Sequence, residues 1–147
     1  MCKLGDIIVI KEFKNEIGKI IKQHSFVVIN DEFGSIEGYD YDFICNMLCS
    51  FHNQEHKRRK LSFKENMEIS ANIISNNKIN NKKGYIKADQ LYYFNKNNIK
   101  YYVIAKLNME LQIKLLKLLF LLDNEEKIKI ITTNLVTNNK EEANLYE

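Results

Sequence analysis

The chain has no tryptophan, no proline, only five glycines, and two arginines against twenty lysines. Asparagine, lysine and isoleucine fill the space instead. That is the composition codon bias gives in an AT-rich genome, so neither the missing proline nor the abundant asparagine is a functional signal. Cysteine is scarce too, at three residues. Cys45 and Cys49 lie four apart in a strand-like run, about 13 Å at strand rise, and so do not pair with each other. They read as small buried hydrophobes in a reducing compartment. A secretory leader is not expected, because MCKLGDIIVI carries a glycine and an acid where an apolar core belongs. The apolar run Leu115–Leu122 is broken by Lys117 and too short to span a bilayer. The expected location is the cytoplasm, with no membrane partner. G-x-G-x-x-G, P-loop, H-E-x-x-H and C-x-x-C patterns are all missing, so no cofactor, NTP hydrolysis or zinc is expected.

What is present is an uneven charge. At 147 residues the chain suffices for one domain with a continuous core, and its formal net charge is +3. Residues 1–51 hold five lysines and eight acids, whereas residues 52–87 hold nine Lys or Arg and three glutamates. The local balance therefore changes from −3 to +6. A phosphate backbone suits such a patch; a solvated charge run is the plain alternative.

The stretch Asp42–Lys60, DFICNMLCSFHNQEHKRRK, combines the strand-like and the basic features. As a strand, Phe43–Phe51 would place Phe43, Cys45, Met47, Cys49 and Phe51 on a core face. Ile44, Asn46, Leu48, Ser50 and His52 would share the other, which grows polar towards its end. Upstream, GDIIVI and Gly18–Ile21 read as a hairpin turning near Lys14 and Asn15, and SFVVIN (Ser25–Asn30) as a strand. Asp31–Gly38 reads as a loop. Ser62 followed by Glu65 has the form of a capping box, and Phe63, Met67, Ala71 and Ile74 recur at helical spacing, which predicts a helix over Phe63–Ser75. A basic loop, Asn76–Lys83, follows. Three further strands are expected over Tyr85–Ala88, Leu91–Phe94 and Tyr101–Leu107, with a turn at Asn95–Asn98. Asn108 can cap a helix to Leu122 whose second half is apolar most of the way round, so it needs cover from the tail or from a second subunit. Near Ile128–Val136 a strand and a helix remain equally open. The expected fold is α+β, a small barrel or strongly curved sheet with one inserted and one C-terminal helix.

Several of these segments, in this order, resemble the PemK/MazF family of endoribonuclease toxins: GDIIVI, HSFVVIND, FICNMLCS, GYIKADQLYYFNK, then a strand entering a leucine-rich helix. The resemblance covers Leu4 to Leu122, with an insertion at about 53–83 and an extension over 123–147. The long basic insertion, with NMLCSFHNQEHKRRK and GYIKADQLYYF, is most similar to the CptN toxins of type III systems, whose antitoxin is a structured RNA. The resemblance implies an SH3-like β-barrel that cleaves single-stranded RNA without metal, leaving a 2′,3′-cyclic phosphate and a 5′ hydroxyl. It also implies two RNA partners, a target mRNA and a cognate repeat RNA antitoxin that the protein processes, with higher-order protein–RNA assembly. Because the RNA's own 2′ oxygen attacks, the protein needs only groups that move protons and stabilise charge on phosphorus.

The chain departs from the family at several positions. Where many members have arginine and proline before the VVI strand, it has His24 and Ser25, with Lys22 nearby. Where they end the next strand on threonine, or threonine and serine, it has Cys49 and Ser50. A lysine that follows in some relatives is matched by His52 or displaced to Lys57. Asp89 and Gln90 match a supporting acid and glutamine pair. The candidate catalytic set is Ser50, His52, His24 and Lys57: a hydroxyl donor to the phosphate, an imidazole with an ordinary pKa of about 6.5, a second imidazole, and a cation. Candidate RNA contacts are Lys22, Ser25, Phe51, Arg58, Arg59, Lys60, Lys82, Lys83 and Lys87; arginine can grip phosphate bidentately, and Phe51 can stack a base if it is exposed. For each there is a plain alternative, namely a polar strand end, a solvated loop histidine, a strand cap, a core-facing ring or a surface charge. Two rival functions stand beside the leading one: a type II toxin with a protein antitoxin, and a non-catalytic RNA-binding barrel.

Overall fold

A computed structural model describes residues 1–69 and 84–136. It is a mixed α+β fold of mostly antiparallel strands with two helices among the described residues. β1 (Asp6–Lys14) and β2 (Ile20–Asn30) form the expected hairpin. Its turn is held by Asn15, whose Oδ1 accepts from the amides of Ile17 at 3.1 Å and Lys19 at 2.9 Å. The two segments expected downstream of the turn are one continuous strand, because apolar Phe26–Val28 and the exposed Ile20–Gln23 half share a single ladder with β1.

The expected loop over residues 31–38 contains instead the first strand of a small hairpin, β3 (Gly34–Ile36) paired with β4 (Tyr39–Tyr41). β5 (Phe43–Ser50) follows as predicted. A second difference is larger. The helix α1 covers Gln54–Leu61, and Ser62 is its C-cap rather than the N-cap of a later helix. Asn53 wins the capping role by accepting the His56 amide on Oδ1 at 2.8 Å. Glu55 in the first turn and Arg58, Arg59 and Lys60 in the last complement the helix dipole. Met67 and Ile69 then alternate with exposed Glu68, so the segment is a strand, β6 (Asn66–Ile69). The rest of the helix predicted over Phe63–Ser75, and the loop to Lys83, lie outside the described residues.

β7 (Gly84–Phe94) joins two segments expected as separate strands, and β8 (Tyr101–Lys106) follows the predicted Asn-rich turn. α2 (Met109–Asn124) starts at Asn108, whose Oδ1 accepts from the Leu111 amide at 2.9 Å. The open choice in the tail resolves as a strand, β9 (Lys129–Ile131). The hydrogen-bonded order is β6-β7-β5-β2-β1-β8, with β9 pairing β7 in parallel.

β5 runs through the middle of this sheet and is buried on both faces, not on one as alternation alone suggested: Phe43, Ile44, Cys45 and Asn46 are all buried. One face joins the aromatic core of Ile8, Ile10, Phe13, Phe26, Phe43, Tyr92 and Phe94. The other carries Val27, Ile86, Ala88 and Leu48 against Leu115 and Leu122 of α2. The remaining apolar side of that helix is exposed, with Phe120 at 70%.

Asn46 is fully buried at a break in the ladder. Cys45 pairs with Tyr92 and Met47 with Lys87, so four residues of β7 bulge opposite one of β5. The Asn46 amide fills the gap, donating to the carbonyls of Lys87 at 3.2 Å, Ala88 at 3.4 Å and Gln90 at 2.9 Å. At this bulge the partner of β7 on its other side changes from β6 to β9. Past β9 the chain reaches β1, where Asn134 accepts from the Lys14 amide at 2.7 Å and donates back to its carbonyl at 2.9 Å. Leucine at position 46 would strand buried carbonyls of β7, so Asn46→Leu is expected to lose about 1–3 kcal/mol in urea unfolding. An unchanged midpoint would show that the bulge holds without the amide.

Candidate nucleic-acid interface

The ends of β2, β5 and β7 lie side by side, and their register sets one row of side chains across them. Ser25 pairs with Leu48 and Cys49 with Tyr85, which in turn faces Glu68 on β6. The row therefore runs His24, Cys49, Tyr85, Glu68. His24 Nε2 is 3.9 Å from Cys49 Sγ. The ring packs at 5.9 Å from Phe26 and 6.2 Å from Phe13, so it closes the end of the aromatic core.

Burial pushes the His24 imidazole below its ordinary pKa, and the Lys87 charge adds to this, against an opposing hydrogen bond to the Leu48 backbone. Burial also raises the Cys49 thiol, although the Lys87 charge and the Tyr85 hydrogen bond pull it down. Tyr85, hydrogen-bonded to Cys49, is pushed up to about 12, mainly by burial. At neutral pH the row is thus an uncharged base beside two protonated donors.

α1 is set against this row by one ring. Phe51 stacks on Tyr85 at 5.2 Å with 27° between planes, and Lys57 Nζ lies 5.7 Å over the same ring. Phe51 is half-buried and already stacked within the protein, so it offers no free platform for a base. Lys57 Nζ is also 3.2 Å from Glu68 Oε1. His52 is exposed and its ring lies 4.4 Å from that of His56, while the His52 amide donates to His56 Nδ1 at 3.2 Å. The His56 ring reaches 6.4 Å from both Phe51 and Tyr85. Burial, His52, Arg59 and Lys60 together lower the His56 pKa. Contacts therefore run without a gap from His24 to His52.

The other expected site residues fall around this chain of contacts. Ser50 is exposed at the end of β5, opposite Gly84 and, by alternation, on the other face from Cys49. Lys60 and Lys87 are close enough to act on Cys49, and Arg59 on Tyr85. Arg58 is exposed on the same helix. Lys22 is exposed and paired with Glu12 at 2.5 Å, and Ser25 is half-buried one residue past His24. Lys82 and Lys83 lie outside the described residues. Asp89 has its pKa raised, first by burial and then by Glu65.

Four members of the site were missed in the sequence. His56 had a signal, its four-residue spacing from His52 at a helix start. Cys49 had one as well, its place where the resembled family ends the strand on threonine; Tyr85 and Glu68 had none, because they meet only through strand register. Among the described residues no group of three or more His, Cys, Asp or Glu side chains could hold a metal ion, and no helix is long and apolar enough to cross a membrane. No family model, curated protein or solved structure matches the chain.

Gly84 belongs to the site by its lack of a side chain, since a Cβ there would collide with the backbone carbonyl of Cys49. Gly84→Ala is therefore expected to destabilise the fold by about 1–3 kcal/mol, read by thermal or urea unfolding. A second expectation concerns pH. With His24 lowered from 6.5 in the folded state, the unfolded chain takes up the proton first as pH falls. The histidine's contribution is intact above 6.5, declines as pH drops below it, and levels off beneath the folded pKa. The difference in unfolding midpoint between wild type and His24→Gln should follow that curve between pH 7.5 and 5; a constant difference would show that His24 titrates normally.

Proposed function

We propose that the protein is a metal-independent endoribonuclease, the toxin of a type III system held inactive by a cognate RNA. The observation that carries the reading is the line of contacts from His24 through Cys49, Tyr85 and Phe51 to His56 and His52, beside the cations of α1. Transesterification by the RNA's own 2′ hydroxyl needs a base for that hydroxyl, a donor for the leaving 5′ oxygen, and positive charge around the phosphate. His24, kept neutral by its burial, suits the base. His52, exposed at the helix start, suits the acid. Lys57, Arg58, Arg59 and Lys60 would hold the phosphate, with Lys87 at its margin, while Ser50, on the other face of β5 from Cys49, would not reach it. Cys49 and Tyr85, both protonated at neutral pH, hold the His24 ring in place.

On this reading the curled sheet is the SH3-like barrel of the PemK/MazF-like toxins, and the protein acts in the cytoplasm on mRNA. The antitoxin RNA would lie along the same basic surface, from Ser50 to Lys87, and be processed there. Residues 52–87 carry nine Lys or Arg against three Glu, which favours a polyanionic inhibitor over an acidic peptide needing an apolar groove.

Expression of the protein alone in a bacterial host should arrest growth and generate recurrent 5′ hydroxyl ends in total RNA. His24→Ala and His52→Ala should each lower cleavage by about 100-fold or more, the range of a lost acid or base. Soluble, folded protein that yields no new ends would leave a binding module, and cleavage that survives both substitutions would remove the site from this edge. RNA affinity should fall steeply with salt, as phosphate contacts release counterions; salt-insensitive binding would overturn the basic surface.

A further inference from the structure

Four consecutive basic residues, Lys57 to Lys60, close α1, and the helix buries none of its own residues. Such a run ordinarily projects loosely into solvent. Lys57 does not. It is half-buried, its ammonium lies over the Phe51 ring, and Glu68 of β6 takes it at 3.2 Å. Among the described residues the other three basic residues of that run have no ion pair; the acidic partners found at exposed lysines elsewhere, Glu12 with Lys22 and Glu125 with Lys64, lie outside this edge. Glu68 itself stands directly opposite Tyr85, in the row that contains Cys49 and His24.

A carboxylate on a surface that must receive a polyanion works against binding by simple Coulomb repulsion. Its presence there calls for a compensating role. We propose that Glu68 is a positioning residue: it draws the Lys57 ammonium off the helix surface and fixes it over Phe51, facing the His24–Cys49–Tyr85 row, where it meets the phosphate that undergoes cleavage. Arg58, Arg59 and Lys60 then track the flanking phosphates. This deepens the endoribonuclease reading and rests on it. Two contacts, one ionic and one with an aromatic ring, restrict a side chain with otherwise large rotamer freedom, so the cation is held in place before RNA arrives.

The test is single-turnover cleavage of a mapped RNA site by wild type, Glu68→Gln, Glu68→Asp, Lys57→Ala and the Glu68→Gln/Lys57→Ala double variant, with RNA affinity measured in parallel. Positioning predicts that Glu68→Gln loses at least 10-fold in the cleavage rate while its RNA affinity holds or rises, since a negative charge has left the surface. Glu68→Asp should recover part of the rate. In the Lys57→Ala background, Glu68→Gln should cost nothing more, because the group it positions is gone. An unchanged or faster Glu68→Gln rate would overturn the proposal and leave the enzyme reading standing. So would full additivity of the two substitutions, or a parallel loss of rate, affinity and thermal midpoint, which marks a merely structural glutamate. Folded wild-type protein that cleaves no RNA in the expression experiment would overturn both.

Discussion

One buried amide holds the sheet in its shape. Asn46 sits where four residues of β7 lie opposite one of β5, and its NH2 group supplies the donors that a regular ladder would have drawn from the backbone. Without it, the carbonyls of Lys87 and Gln90 would be buried with no equivalent partner, at a cost no nearby apolar contact offsets. With it, β7 can bend. The half before the bulge pairs with β6 and carries Tyr85 and Lys87 to the site; the half after it pairs with β9 and packs Tyr92 and Phe94 into the aromatic core.

Beyond the bulge the tail returns through β9 to β1, where Asn134 and Lys14 exchange two hydrogen bonds in the manner of paired strands. Thr133 adds a third bond, to the Asn15 carbonyl at 2.9 Å. These contacts tie the tail to the far end of the first hairpin, and Ile131 joins the aromatic core beside it. His24 and Cys49 close the aromatic core where β2 and β5 run side by side, and both are half-buried beside the basic helix.

The sequence made the β-rich part of this legible and misplaced the helix. Strands such as Ser25–Asn30 and Phe43–Ser50 announce themselves by β-branched and apolar runs, and α2 by its Asn108 cap and leucine stripe. α1 had no such stripe: its residues are polar up to the closing Leu61, so periodicity had nothing to report, and the Ser62/Glu65 pattern drew the helix start nine residues too far along. Met67 and Ile69 could be read with either period until the pairing with Ile86 and Gly84 decided it. At the site, His24, His52 and Lys57 were visible as residue types that move protons or hold anions. Their neighbours Tyr85 and Glu68 were not, because each comes from a different strand, and adjacency across strands depends on register rather than on spacing along the chain.

α1 joins the sheet through its rim: His56 and Lys57 lie against Phe51 and Glu68, Asn66 of β6 donates to the Lys60 carbonyl at 2.9 Å, and the helix has no buried residue of its own. The core neither gains nor loses apolar area when the outward positions of that helix change. The exposed Arg58 and Arg59 are therefore free to vary at almost no cost to folding, while Asn53, Phe51, Lys57 and Glu68 keep the helix in place. On the endoribonuclease proposal, recognition and stability would be written in separate alphabets, and a lineage facing a changing RNA partner could revise the first without touching the second.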